Sequence, residues 1–125
     1  MMGLDVTHQV NVNSKIIKSM NENKNKSSKF FGELMEFYTI FHKELYETEE
    51  TPLHDPCVIA YLLDPSIFSG KKVNVTVEEN SELTRGETVV DWLGVTKRPI
   101  NCFVMNEAND EKFFQLLKDK LSLLP

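Results

Sequence analysis

The chain has 125 residues, of which 41% are apolar and 26% charged, the size and balance of one ordinary globular domain and not of a disordered chain. Its formal net charge is -5 with both signs mixed along the chain and no basic block, which weighs against a nucleic-acid backbone as partner. No apolar run approaches the ~20 residues needed to span a bilayer, and Met1 to Thr7 has no basic stretch leading into an apolar one, so neither a membrane nor a secretory leader is expected.

In chain order, Met1 to Val6 reads as the tail of a buried strand, and Ser14 to Met20 as a short helix. The Asn/Lys/Ser-rich stretch from Asn21 to Ser28 reads as a loop. Ser28 to Tyr46 is the clearest helix. Phe30, Phe31, Leu34, Phe37, Tyr38, Phe41 and Leu45 recur at three- and four-residue steps, and this stripe is expected to face the core. Glu47 to Thr51 is acidic and polar and reads as a mobile connection. Asp55 suits an N-cap and Pro56 the first helical position of a short apolar helix through Leu63, which Asp64-Pro65 ends.

The period then switches to two. Val73, Val75 and Val77 mark one strand, Leu83 to Asp91 a second interrupted by Gly86, and Ile100 to Met105 a third. Asn109 or Asp110 caps a last helix through Leu121. Helices, then strands, then one helix place the chain in the α/β or α+β class, as one unit over residues 1–125 without internal repeats. Cys57 and Cys102 each sit in an apolar run and are expected to be buried free thiols, as in a reducing, cytoplasmic compartment.

One place in the sequence concentrates chemistry. His54 and Asp55 lie between two prolines, just ahead of an apolar helix. A histidine on a stiffened loop can give up a proton near neutral pH, and a carboxylate beside it can bind a hard cation. Plainer readings stand beside these: N-capping accounts for Asp55, and an ordinary loop histidine for His54. His8 and His42 have no partner at metal-ligand spacing. Asp5 ends a strand, and Glu47, Glu49 and Glu50 form a solvated charge run. The chain has no Gly-rich phosphate loop, no Cys-x-x-Cys pair and no serine elbow.

Three segments carry a resemblance. Pro52-Leu-His-Asp-Pro-Cys-Val-Ile-Ala-Tyr-Leu-Leu-Asp-Pro65 resembles the second signature of the inosine–uridine-preferring nucleoside hydrolases. Gly3-Leu-Asp-Val-Thr-His-Gln9 is similar to the segment that precedes it in that family, and Leu83-Thr-Arg-Gly-Glu-Thr-Val-Val-Asp91 to the run that follows it. The three occur in the family's order and cover nearly the whole chain. The resemblance implies the C-terminal portion of an α/β fold, a mostly parallel sheet flanked by helices, incomplete as a domain. It implies cleavage of the N-glycosidic bond of ribonucleosides with the help of Ca2+. It assigns His54 to protonation of the leaving base and Asp55 to the calcium ion, and it makes Tyr46 the nearest match to an aromatic beside the base. The Pro-Leu-His-Asp-Pro-Cys form and the upstream Leu-Met-Glu-Phe-Tyr stretch look more like the pyrimidine-accepting members.

The family's opening Asp-x-Asp-x-x-x-Asp-Asp motif, which supplies further calcium ligands and the water-activating carboxylate, does not occur in these 125 residues. Two expectations follow. The first is an enzyme portion that is inactive until joined to the family's N-terminal half, with a homo-oligomer as a further possible assembly. The second is a noncatalytic module that docks on an intact homologue.

Overall fold

The computed structural model describes residues 1–48 and 51–125; Glu49 and Glu50, from the acidic connection and charge run, lie outside the described residues. The elements are α1 (Leu4–Thr7), β1 (Asn11–Val12), α2 (Ser14–Asn21), α3 (Lys26–Tyr46), β2 (Thr51–Pro52), α4 (Asp55–Leu63), a 3-10 turn (Pro65–Ile67), β3 (Phe68–Val77), β4 (Thr88–Asp91), β5 (Cys102–Ala108) and α5 (Asp110–Ser122). The class is the mixed helix and sheet architecture the sequence implies. Strands run β4-β3-β5, both pairings antiparallel, and β1 pairs antiparallel with β2. The parallel pairing expected of the family is represented among the described residues by a single bridge, Met2 beside Met105.

Asparagines start three of the helices. The Asn13 side chain accepts from the Lys15 and Ile16 N–H groups, Asn25 from Ser28, and Asn109 from Lys112, each satisfying donors that a helix start leaves free. Asn109 is thus the cap of α5, with Asp110 already helical. Gly70 allows β3 to approach β5 at a register shift, since a Cβ there would lie 2.1 Å from the Val104 carbonyl oxygen. The core gathers Val6, Val10 and Val12, Met35 of α3, Leu53, Cys57, Phe68, Met105 and Phe113 into one cluster.

Several expectations are corrected. Met1 to Val6 is not a strand tail beyond Met2. The Gly3 carbonyl accepts from the Val6 and Thr7 N–H groups at 3.2 Å, turning the chain into α1, with Asp5 in its first turn and not at a strand end. The apolar stripe of α3 is only partly core: Phe31 and Tyr38 pack against the core cluster, and the rest of the stripe does not. Ser28, Gly32 and Met35 are its buried residues, and Phe30, Leu34, Phe37, Phe41 and Leu45 are exposed, Phe37 at 73%. Periodicity reports an apolar face without saying what covers it. The strand expected from Leu83 begins only at Thr88. The Glu78 carboxylate accepts from Asn80 and Ser81, and residues 82–86 form a turn that Gly86 closes at φ 92. The third strand begins at Cys102 and extends to Ala108. Both cysteines are free, but only Cys57 is buried; Cys102 is half-buried. No helix among the described residues is long and apolar enough to cross a membrane.

Candidate functional site

The first two motifs meet. The loop before α4 is pinned from below, where the Leu53 N–H donates to the Val10 carbonyl at 2.9 Å and β2 pairs with β1. Leu53 is buried, and the Cys57 thiol donates back to its carbonyl oxygen at 3.0 Å. Burial pushes that thiol up to about 11, so Cys57 is a packed donor and not a nucleophile. His54 stands at the N-cap of α4 without capping it by its side chain. Its Nδ1 lies 2.8 Å from Oγ1 of Thr7, a buried residue of the first motif. Gln9 stitches the same motif to β5, donating to the Asn106 carbonyl at 2.8 Å and accepting from the Ala108 N–H at 2.9 Å.

His54 opens into a hollow of about 560 Å³ that it shares with His8, Tyr38, His42 and Tyr46. The His8 and His54 rings are 5.3 Å apart. Tyr38, His42 and Tyr46 are spaced at four residues and so form a ladder along one side of α3. Their successive ring separations are 5.9 and 4.6 Å. The His42 Nδ1 is buried with no hydrogen-bond partner among the described residues. Burial holds the His54 imidazole below its ordinary pKa; His8 adds to the depression, Asp55 opposes it and His42 adds again.

The structure thus brings His54 and Tyr46 together and adds His8 and His42, which spacing along the sequence did not join to any site. The Tyr-x-x-x-His-x-x-x-Tyr ladder in α3 was the available signal for His42. For His8 the signal was its place in the first motif.

Asp55 is placed differently. It is the first residue of α4, exposed, and its carboxylate takes no hydrogen bond among the described residues, so the capping role expected of it is not performed. It borders a second, apolar hollow of about 380 Å³ between α4 and α5, lined also by Ile59, Leu63, Phe113 and Leu117. Calcium takes ~6–8 oxygen ligands. Among the described residues no three His, Cys, Asp or Glu side chains are grouped to hold a metal, so they do not by themselves fit a calcium ion. The third motif lines neither hollow. Its Asp91 accepts from the Val95 and Thr96 N–H groups and from the Thr96 hydroxyl, shaping the turn after β4, and the Thr96 bonds hold its carboxyl below the usual range.

Residues 1–115 match the family described as inosine-uridine preferring nucleoside hydrolase. An uncharacterised protein of Schizosaccharomyces pombe is 38% identical over 125 residues, covering 100% of this chain and 40% of the relative. A pyrimidine-specific ribonucleoside hydrolase RihA of Shewanella sp. (strain ANA-3) is 39% identical over 124 residues, covering 98% and 39%. Among solved structures, a purine-preferring ribonucleoside hydrolase from Gardnerella vaginalis superposes with a TM-score of 0.81 at 25% identity over 98% of this chain and 39% of its own. A plant nucleoside hydrolase superposes with a TM-score of 0.79 at 25% identity, over 95% and 39%. The chain therefore spans about two fifths of the length of the curated relatives it matches. With its signature loop seated on the segment that precedes it in sequence and 115 of its residues matched, the chain belongs to the inosine–uridine-preferring nucleoside hydrolase family.

Proposed function

We propose that these residues form the leaving-base side of a ribonucleoside hydrolase site. The observation that carries this is the convergence of His54, Tyr46, His42, Tyr38 and His8 on one hollow. A planar heterocycle with ring nitrogens and carbonyl oxygens suits walls of imidazole and phenol rings, which offer both stacking faces and hydrogen-bond donors.

Hydrolysis of an N-glycosidic bond passes through an oxocarbenium-like state. The bond from C1′ to the base nitrogen breaks, water supplies a hydroxyl to C1′, and the base leaves with a proton. His54 is the group that supplies that proton, and Tyr46 walls the base. Asp55 is this chain's single contribution to a Ca2+ site. The remaining ligands and the water-activating carboxylate belong to the part of the family fold that these 125 residues do not contain. A polypeptide of these residues alone is accordingly inactive, and its partner is the family's N-terminal part.

The noncatalytic alternative draws on the exposed stripe of α3, which invites a cover of some kind. It gives the histidine hollow no task. The test is to join residues 1–125 to the N-terminal three fifths of the Shewanella relative and to follow ribose release from uridine, cytidine and inosine. Release by the joined protein, loss of it in His54→Ala and none from the 125-residue chain are expected. Equal activity with and without His54 refutes the reading.

A further inference from the structure

We infer that Thr7 is the positioning residue of His54 and fixes which ring nitrogen carries the proton. The inference rests on His54 being the group that meets the base. It starts from the hydroxyl of Thr7, a residue 2% exposed, which has one hydrogen-bond partner among the described residues, the Nδ1 of His54 at 2.8 Å. Two arrangements fit that distance. In one, the neutral ring carries its hydrogen on Nδ1 and donates to Oγ1. The hydroxyl hydrogen then has no acceptor, and folded proteins seldom leave a buried donor in that state. In the other, the hydroxyl donates to a bare Nδ1. Every buried polar atom of the pair is then satisfied, and the ring hydrogen sits on Nε2. The second arrangement is the one the burial selects.

The consequence concerns the hollow. With Nδ1 engaged by Thr7, Nε2 is the nitrogen left to serve the space that His54 shares with Tyr46 and His42. Thr7 therefore presents an Nε2–H to the position of the base and stops the ring from turning its acceptor there. When the ring takes up a second proton, at Nδ1, the hydroxyl can rotate about its Cβ–Oγ bond and accept; transfer of the Nε2 proton to the base then leaves the hydrogen on Nδ1, and proton exchange with water returns the resting Nε2–H ring. The hydroxyl remains a partner in both charge states, as a valine of the same shape could not. Thr7 itself is held by its place in α1, where its N–H donates to the Gly3 carbonyl at 3.2 Å.

The test reads the ring directly and needs no activity. Nitrogen-15 spectra of the 125-residue chain labelled at histidine, with His54 assigned by comparison with His54→Gln, distinguish a protonated from a bare ring nitrogen. At a pH where the ring is neutral, the expected result is a protonated Nε2 and a bare Nδ1. Thr7→Val should draw the two resonances toward each other as both tautomers populate, and Thr7→Ser should restore the separation. A protonated Nδ1 in the unaltered chain overturns the inference even if Thr7→Val does not fold, and so does a Thr7→Val spectrum with the pair unmoved. In the joined protein Thr7→Val should lower kcat for uridine ~10–100-fold, the range for partners that orient a functional ligand, with recovery in Thr7→Ser. If the joined protein is inactive while the spectra come out as expected, the functional reading fails and the tautomer assignment stands.

Discussion

Removing the His54 imidazole separates the proposed roles most sharply. In the joined protein His54→Ala should lower kcat for uridine by ~10²–10⁴, the usual worth of a positioned general acid, or about 3–5 kcal/mol of barrier. Burial and the neighbouring His8 hold the His54 imidazole below its ordinary pKa, which favours the neutral ring. The sign of the pH effect follows. Because the shift favours the neutral ring, His54-dependent turnover should rise as pH falls from 8 toward the depressed pKa. A nitrophenyl riboside leaves without a proton and should be hydrolysed by His54→Ala at nearly the unaltered rate. Asp55→Ala should damage both substrates alike and weaken calcium binding measured by titration calorimetry. Since Asp55 makes no capping bond, its removal should cost only its charge–dipole contribution at the first turn of α4, about 0.3–1 kcal/mol. Equal losses on both substrates in His54→Ala would refute the leaving-group assignment.

Two further predictions concern the scaffold. Gly70→Ala should lower stability by at least ~1–3 kcal/mol in thermal melts, because the new Cβ would meet backbone atoms of Val104 and Met105 rather than a movable side-chain end; an unchanged melting temperature would contradict the observed approach of β3 and β5. The 125-residue chain should self-associate with rising concentration in sedimentation experiments, and Phe37→Glu with Phe41→Glu should suppress this without loss of helical circular dichroism, since both side chains point away from the core; a monomer at all concentrations in the unaltered chain would show that the stripe drives no association.

What the sequence disclosed and what it concealed divide along physical lines. Helix α3, the end of α4 at Asp64-Pro65 and strand β3 were readable because period, caps and prolines are local signals. The sequence singled out His54 by its motif and Tyr46 as the nearest upstream aromatic, and one hollow is lined by both. Their companions were not joined to them. His8 and His42 reach His54 only through the turn into α1 and the packing of α3, contacts of long sequence separation that no spacing rule encodes. The role expected of Asp55 at the helix start failed by one residue, since its pattern fits N-cap and first-turn positions alike. Only the first half of the strand expected from Leu83 gave way to a turn, where the Glu78 carboxylate bonds the Asn80 and Ser81 N–H groups.

His54 and Asp55 are sequence neighbours that border different hollows, and this constrains how a nucleoside would lie. If both act, the substrate bridges the N-terminal end of α4, with its base on the histidine side and its ribose toward Asp55. Toward the base, this chain supplies His8, Tyr38, His42, Tyr46 and His54 as walls of one hollow. On the ribose side it offers one carboxylate. Base preference should then travel with these 125 residues, and ribose chemistry with the partner half. The prediction is tested by joining them in turn to the N-terminal part of the pyrimidine-specific Shewanella relative and to that of the purine-preferring Gardnerella enzyme. The order of kcat/KM among uridine, cytidine and inosine should be the same in both joined proteins, whatever their absolute rates. His42→Gln should change that order in both, because it replaces a buried, unpartnered ring nitrogen of the base wall with an amide of different donor pattern. An order that instead follows the N-terminal donor would place the specificity outside this hollow and overturn the division of labour between the two halves.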